Sequence, residues 1–175
     1  MRSTGIVRRI DELGRVVIPK EIRRTMKIRE GEELEVFTAE DNSLVLKKYS
    51  AVKELNLLAK EYANAVYKTT GYTAVVTDTD KIVAASGDIR LFRAGDTLSF
   101  KGEKIISERK AKLLGPQDII SFFNEDIREI KGVAVAPMVK GGDVMGALLV
   151  FSTKELGETA LKTVETGASF FAGQI

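Results

Sequence analysis

The sequence predicts an α+β protein in two parts. A strand-rich N-terminal unit of about fifty residues, expected to fold as an intertwined homodimer, is followed by a larger α/β domain flanked by helices. Three observations carry this reading. Apolar residues alternate at strand period through most of residues 3–49, interrupted by one short helix pattern. Charge is segregated: residues 1–29 hold nine basic and three acidic groups, a net +6, residues 30–50 hold two and six, a net −4, and residues 51–175 hold sixteen of each. From residue 51 onward, helix-period stripes alternate with strand-like runs.

In the first part, residues 3–11 read as a strand with Ile6, Arg8 and Ile10 on one face and Val7 and Arg9 on the other. Asp11-Glu12-Leu13-Gly14 is a turn, and Arg15–Ile18 a second strand. Pro19 suits the first position of a short helix over Pro19–Met26, with Glu21 near its N-terminus and Ile22 and Met26 facing inward. Arg23 and Arg24 then fall on its solvent side. Glu33–Thr38 and Leu44–Tyr49 are strands around the turn Glu40–Ser43. A β-β-α-β-β unit of this size buries too little surface to stand alone, and the chain has no cysteine to staple it. Dimerisation supplies the missing core.

Beyond it, Ala51–Thr70 is a helix striped by Leu55, Leu58, Ala59, Tyr62 and Val66, ended by Gly71. Tyr72–Asp78 and Lys81–Ser86 are strands, and Lys101–Leu114 is a helix. Ile130–Val139 and Val144–Ser152 form a hairpin around Lys140–Asp143. Leu156–Phe171 is a final helix striped by Ala160, Leu161, Val164, Ala168 and Phe171. Residues 87–130, with the apolar patch Ile119–Phe123, are the least patterned. The boundary between the parts is placed at 52/53.

Composition narrows the function. With 44% hydrophobic and 30% charged residues the chain is of ordinary globular type. It has no histidine and no cysteine, which removes histidine-based catalysis, thiol chemistry and the usual soft metal ligands. No apolar run approaches membrane-spanning length, and no secretion signal follows Arg2, so a cytoplasmic protein is expected.

The stretch Val7–Arg24 threads six basic residues through side chains that should pack. Guanidinium forks bind phosphate and guanine edges best when held in place. Arg8, Arg15, Arg23 and Arg24, each doubled in a dimer, would present eight such forks. Eight phosphate contacts would give a salt slope of roughly −7 on duplex DNA. The competing reading pairs these arginines with Asp11, Glu12, Glu21 and the acidic 30–41 stretch as a solvated face. Residues 1–36 lack aromatic stacking platforms, which disfavours single-stranded RNA.

The run "TGIVRRIDELGRVVIPKEIRRTMKIREGEELEVF", with its core G-R-V-x-I-P-K-E-I-R at Gly14–Arg23, resembles the swapped-hairpin DNA-binding domain of the AbrB-type transition-state regulators. "KKYSAVKELNLLAKEYANAVYKTTGYTAVVTD" and the terminal "KTVETGASFFAGQI" resemble a sporulation member of that family that carries a GAF-like domain. The resemblance implies an intertwined dimeric β-barrel over residues 1–52 that binds duplex DNA, often AT-rich, with relaxed sequence preference. It implies DNA contacts at Arg8, Arg15, Arg23 and Arg24, with Arg9 a secondary candidate. It further implies a GAF-like sensor domain over 53–175, tetramers joined through the helices at 53–70 and 156–171, and activation and repression of late genes in the developing spore.

No cofactor is expected, and a small molecule in the GAF-like domain is left open. Asp78 and Asp80 read as turn residues, not as a metal site, and "KGGDVMG" reads as a hairpin turn because a strand follows it. The alternative function is an antitoxin-like interaction protein, since swapped-hairpin domains also occur in antitoxins. The patterned second half disfavours the disordered tail such proteins use. No carboxylate pair or Ser/Lys motif points to an enzyme.

Overall fold

The structure, a computed structural model, describes residues 4–87, 92–119 and 129–175. The chain separates into two compact units, Met1–Tyr49 and Ser50–Ile175. The apolar patch singled out in the sequence lies, from Ile120 to Phe123, outside the described residues.

The first unit contains helix α1 (Lys20–Thr25) and the hairpin β1 (Leu34–Thr38) and β2 (Leu44–Lys48). The hairpin is antiparallel, with Glu35 opposite Lys47 and Val36 opposite Leu46. The expected strands at 3–11 and Arg15–Ile18 are not formed within one chain, and the described residues close no barrel: this sheet has two strands only. A strand needs a neighbour, and β1 and β2 are used on each other. The apolar residues of these segments are left uncovered, as Val7, Ile10, Val16 and Val17 are all exposed. Met26, expected to face inward, is also exposed, and Ile22 is only half-buried. Among its described residues the first unit has no buried residue at all. The alternating apolar pattern is real, but nothing among the described residues covers it.

The second unit has its own core. Its elements are α2 (Ala51–Glu54), α3 (Asn56–Thr70), β3 (Thr73–Thr77), β4 (Ile82–Ser86), α4 (Phe100–Ser107), β5 (Lys112–Leu114), α5 (Pro116–Ile119), β6 (Gly132–Lys140), β7 (Asp143–Ser152) and α6 (Glu158–Gln174). The five strands form one antiparallel sheet in the order β4-β3-β7-β6-β5. Strand periodicity divides the sheet between two apolar layers. Ala74, Val76, Leu148 and Val150 face α3 and α6, where Ala59, Ala63, Val164 and Phe171 are buried. Val75, Leu149 and Phe151 face the opposite layer, with Phe92, Leu98, Ile105 and Ile106. The rings of Phe92 and Phe151 meet there at 4.4 Å.

Two elements differ from their sequence reading. The helix expected over Ala51–Thr70 breaks at Leu55, with Ser50 capping the first piece through a 3.2 Å bond from the Lys53 N–H. The helix expected over Lys101–Leu114 ends at Ser107. Arg109 takes a left-handed φ of 59°, and Lys112–Leu114 pairs with β6 instead. Sheet pairing here overrides the helical propensity of Glu108, Lys110, Ala111 and Lys112. The stripes on α3 and α6 pack on their own sheet, and the two helices also meet each other: Tyr62 donates to the Thr163 carbonyl at 3.0 Å and meets Phe171 edge-on. Apart from the stripes, Leu57, Tyr67 and Phe170 remain exposed on these helices.

Asp78 closes the β3–β4 turn, its carboxylate accepting from the backbone N–H groups of Asp80 at 2.9 Å and Lys81 at 2.7 Å. Burial pushes its carboxyl above the ordinary value, against the pull of those two bonds. A raised folded pKa means that the folded state holds the proton longer. Stability should therefore fall as pH rises from about 4 through the raised value, then level off. Asp78→Asn keeps the acceptor oxygen and loses the charge. It should be more stable than the parent at pH 7 and show no such fall in unfolding curves taken at pH 4 and pH 7.

Candidate nucleic-acid interface

The arginines of the first unit are set by three local devices. The first is the turn between the extended segments. The Asp11 carboxylate accepts from Leu13 N at 3.0 Å and Arg15 N at 2.8 Å, and its other oxygen takes the Arg15 Nε at 2.7 Å. Gly14 supplies the left-handed φ of 75° that brings Arg15 back over Asp11. The bonds from the Arg15 N–H and guanidinium hold the Asp11 carboxyl below its usual value. Arg15 is thus steered at its Nε while its side chain stays 72% exposed. Asp11 was legible as a turn residue. Its grip on the arginine four positions on was the part that sequence reasoning missed, although Asp at the head of a glycine turn is the pattern that makes such bonds.

The second device closes α1. Lys27 N–H bonds to the Arg24 carbonyl at 3.3 Å and Ile28 N–H to the Arg23 carbonyl at 2.7 Å, with Lys27 in the left-handed region at φ 53°. This is a Schellman closure with lysine where glycine is usual. The left-handed backbone costs a non-glycine residue about 1–2 kcal/mol, and glycine's greater freedom in the unfolded chain returns part of that difference. Lys27→Gly should raise stability by about 0.5 kcal/mol, measured by urea unfolding of the full chain.

The third device ties the loop after α1 to β2. Lys48 Nζ pairs with Glu32 Oε1 at 2.8 Å, both side chains only 18% exposed, and also reaches the Lys27 carbonyl at 3.3 Å. The second oxygen of Glu32 accepts from Arg29 N at 2.8 Å. The sequence showed these groups only as members of charged runs.

Arg8 and Arg9 lie exposed on the extended segment, where Arg8 donates to its neighbour's carbonyl, Val7 O, at 3.4 Å. Arg24 is exposed on α1. Arg23, expected on the solvent side, is instead half-buried, with its Nε closed off from solvent and without a hydrogen-bond partner among the described residues. One chain brings Arg23 and Arg24 together on α1 and leaves Arg8 and Arg15 on separate segments. Among the described residues only Arg15 of the five has a carboxylate partner. The acidic stretch 30–41 therefore does not neutralise the other four, and the solvated-pair reading loses its main support. In the second unit, no group of three or more metal-ligating side chains comes together among the described residues, and no helix there is long and apolar enough to cross a membrane.

The family of the stage V sporulation protein T C-terminal transcription factor matches residues 54–175. Stage V sporulation protein T of Bacillus subtilis is 42% identical over 176 residues, spanning 100% of this chain and 99% of that protein. The chain belongs to the stage V sporulation protein T family of transcription factors. The transition state regulatory protein AbrB of Bacillus subtilis is 40% identical over 113 residues, covering 65% of this chain and 94% of AbrB. Residues 7–54 also match the antidote-toxin recognition family of the bacterial antitoxin MazE. Among solved structures, the GAF domain of Acinetobacter phosphoenolpyruvate-protein phosphotransferase superimposes with a TM-score of 0.57 over 73% of this chain and 82% of that one. Its 15% identity makes this a likeness of fold alone. The expected α+β class, AbrB-type at the N-terminus and GAF-like beyond it, holds for this member of the stage V sporulation protein T family.

Proposed function

We propose that the chain is a DNA-binding regulator of late sporulation genes, acting as activator and repressor in the cytoplasm of the developing spore. Residues 1–52 form an intertwined homodimer that grips duplex DNA, preferentially AT-rich and with relaxed sequence preference, through Arg8, Arg15, Arg23 and Arg24, with Arg9 secondary. Residues 53–175 act as a GAF-like sensor that joins two dimers into a tetramer through the helices at 53–70 and 156–171. Exposed Leu57, Tyr67 and Phe170 are available for that contact.

One observation carries the reading: among the described residues the first unit has no buried residue, and Arg8, Arg9, Arg23 and Arg24 have no carboxylate partner there. Uncovered apolar residues at strand spacing call for a second copy, and uncompensated guanidinium groups call for an anion. Fluorescence anisotropy of a labelled AT-rich duplex against salt tests it, with sedimentation in the same buffers. The expected result is a tetramer whose log affinity falls steeply with log salt, with a slope of up to roughly −7 per dimer. A monomer, or an absence of binding at low salt, would sink it.

The match of residues 7–54 to the MazE antitoxin family favours a second reading, an interaction protein that captures a toxin. A folded unit follows that segment here. A stoichiometric small toxin purifying with the chain, together with no duplex binding, would favour this reading over the first.

A further inference from the structure

We propose that the Glu32–Lys48 ion pair is a positioning device for Arg23 and Arg24, setting how α1 presents them to DNA. The proposal rests on the duplex-binding reading above.

The argument starts from the weakness of α1. It has six residues, none of them buried, and no side chain caps its N-terminus. A helix of that length does not hold itself together in water. Its C-terminal closure passes through Lys27, whose left-handed backbone is unfavourable for a lysine. Something outside the helix must therefore hold this end, and Lys48 is placed to do so. From β2 it reaches the Lys27 carbonyl, directly after the two closing bonds to the Arg23 and Arg24 carbonyls. Glu32 fixes the ammonium in turn, and its second oxygen holds the Arg29 N–H, so the loop from Lys27 to Glu32 is fastened at both ends. A charged pair at 18% exposure is poor evidence for stability, because desolvation offsets much of the attraction. What such a pair offers is a defined geometry, and the geometry it defines here is that of the turn bearing both arginines. Arg23 is itself held half-buried, so a shift of this turn moves its fork directly.

The test uses the full chain and the double variant Glu32→Gln/Lys48→Met. It keeps side-chain size, leaves no unpaired charge and leaves the net charge of the unit unchanged. A loss of affinity then cannot come from lost bulk attraction. The expected result is duplex binding roughly tenfold weaker at fixed salt, with a shallower salt slope and an unchanged oligomeric state. In an Arg23→Ala/Arg24→Ala background, compared at low salt, the same double variant should change affinity less than twofold, because the groups it positions are gone. Equal affinity of the double variant and the parent would overturn the proposal. So would an undiminished tenfold loss in the arginine-free background, which would make the pair a general structural support. If the double variant changes the oligomeric state, Lys48→Arg decides: it restores the clamp with a different cation, and parental affinity supports the proposal while weakened binding overturns it. A parent chain that fails to bind duplex DNA at low salt would remove the duplex-binding reading itself, an outcome separate from these.

Discussion

Gly146→Ala should cost the second unit about 3 kcal/mol or more, the upper end for overpacking. Gly146 lies on β7 opposite Met138 of β6, beside the Thr77–Ala147 pair with β3. A Cβ there would fall inside van der Waals contact with the Thr77 carbonyl oxygen, 2.7 Å from Met138 Cε and 3.0 Å from Asp78 Cα. Met138 can swing aside. Thr77 cannot, because β3 is fixed between β4 and β7 and its next residue closes the Asp78 turn. The middle of the sheet must open or the strand must bend. Differential scanning calorimetry should show the transition of this unit lowered by about 10 °C. Gly167→Ala tests the same logic against side chains. Its Cβ would meet Tyr62 and Leu148, and Tyr62 is tied to the Thr163 carbonyl, so a smaller but clear loss is expected. Gly173→Ala, in the same helix with nothing near its Cβ, should be neutral or slightly stabilising. If all three behaved alike, the close approach of β7 to β3 would not be what requires glycine at 146.

The contrast between the two units explains what the sequence disclosed. In the second unit, the apolar runs at β6 and β7 and the stripe on α6 appear where they were expected, because their apolar residues are buried within the same chain, those of the two strands on both faces of the sheet. The short β5 escaped notice because its three residues are specified by pairing with β6, not by their own pattern. In the first unit the pattern was equally clear, yet residues 4–10 and 15–18 form no ladder, because the surface they are written for is not on the same chain. The site shows the same division. The arginines were legible as an excess of charge at fixed spacing. Their supports were not: Glu32 and Lys48 are sixteen positions apart and meet only through the hairpin, and the half-burial of Arg23 depends on packing that helical spacing alone did not foretell.

Arg15→Ala and Arg23→Ala should each weaken duplex binding by about thirtyfold to twenty-thousandfold. An arginine contact contributes about 1–3 kcal/mol, and in a two-fold dimer each substitution acts twice. The two should differ in kind. Arg15 is held by Asp11, so its removal also leaves an uncompensated carboxylate at the turn. Part of the loss at that site is repulsion of the phosphate backbone. Asp11→Asn on top of Arg15→Ala should recover that part, and the recovery should shrink as salt is raised. Arg23 has no carboxylate partner among the described residues, and its Nε is already enclosed, so its loss should be flat across such a comparison. Arg15→Lys should not restore binding. The Asp11 bond uses the Nε of a planar fork, which leaves the rest of the guanidinium for DNA, and an ammonium has no second group to offer in that geometry. Arg9→Ala, on the opposite face of the extended segment from Arg8, should have the smallest effect of the set. Unchanged affinity in both Arg15→Ala and Arg23→Ala would return these groups to the solvated surface and leave the basic excess of the first unit without a partner.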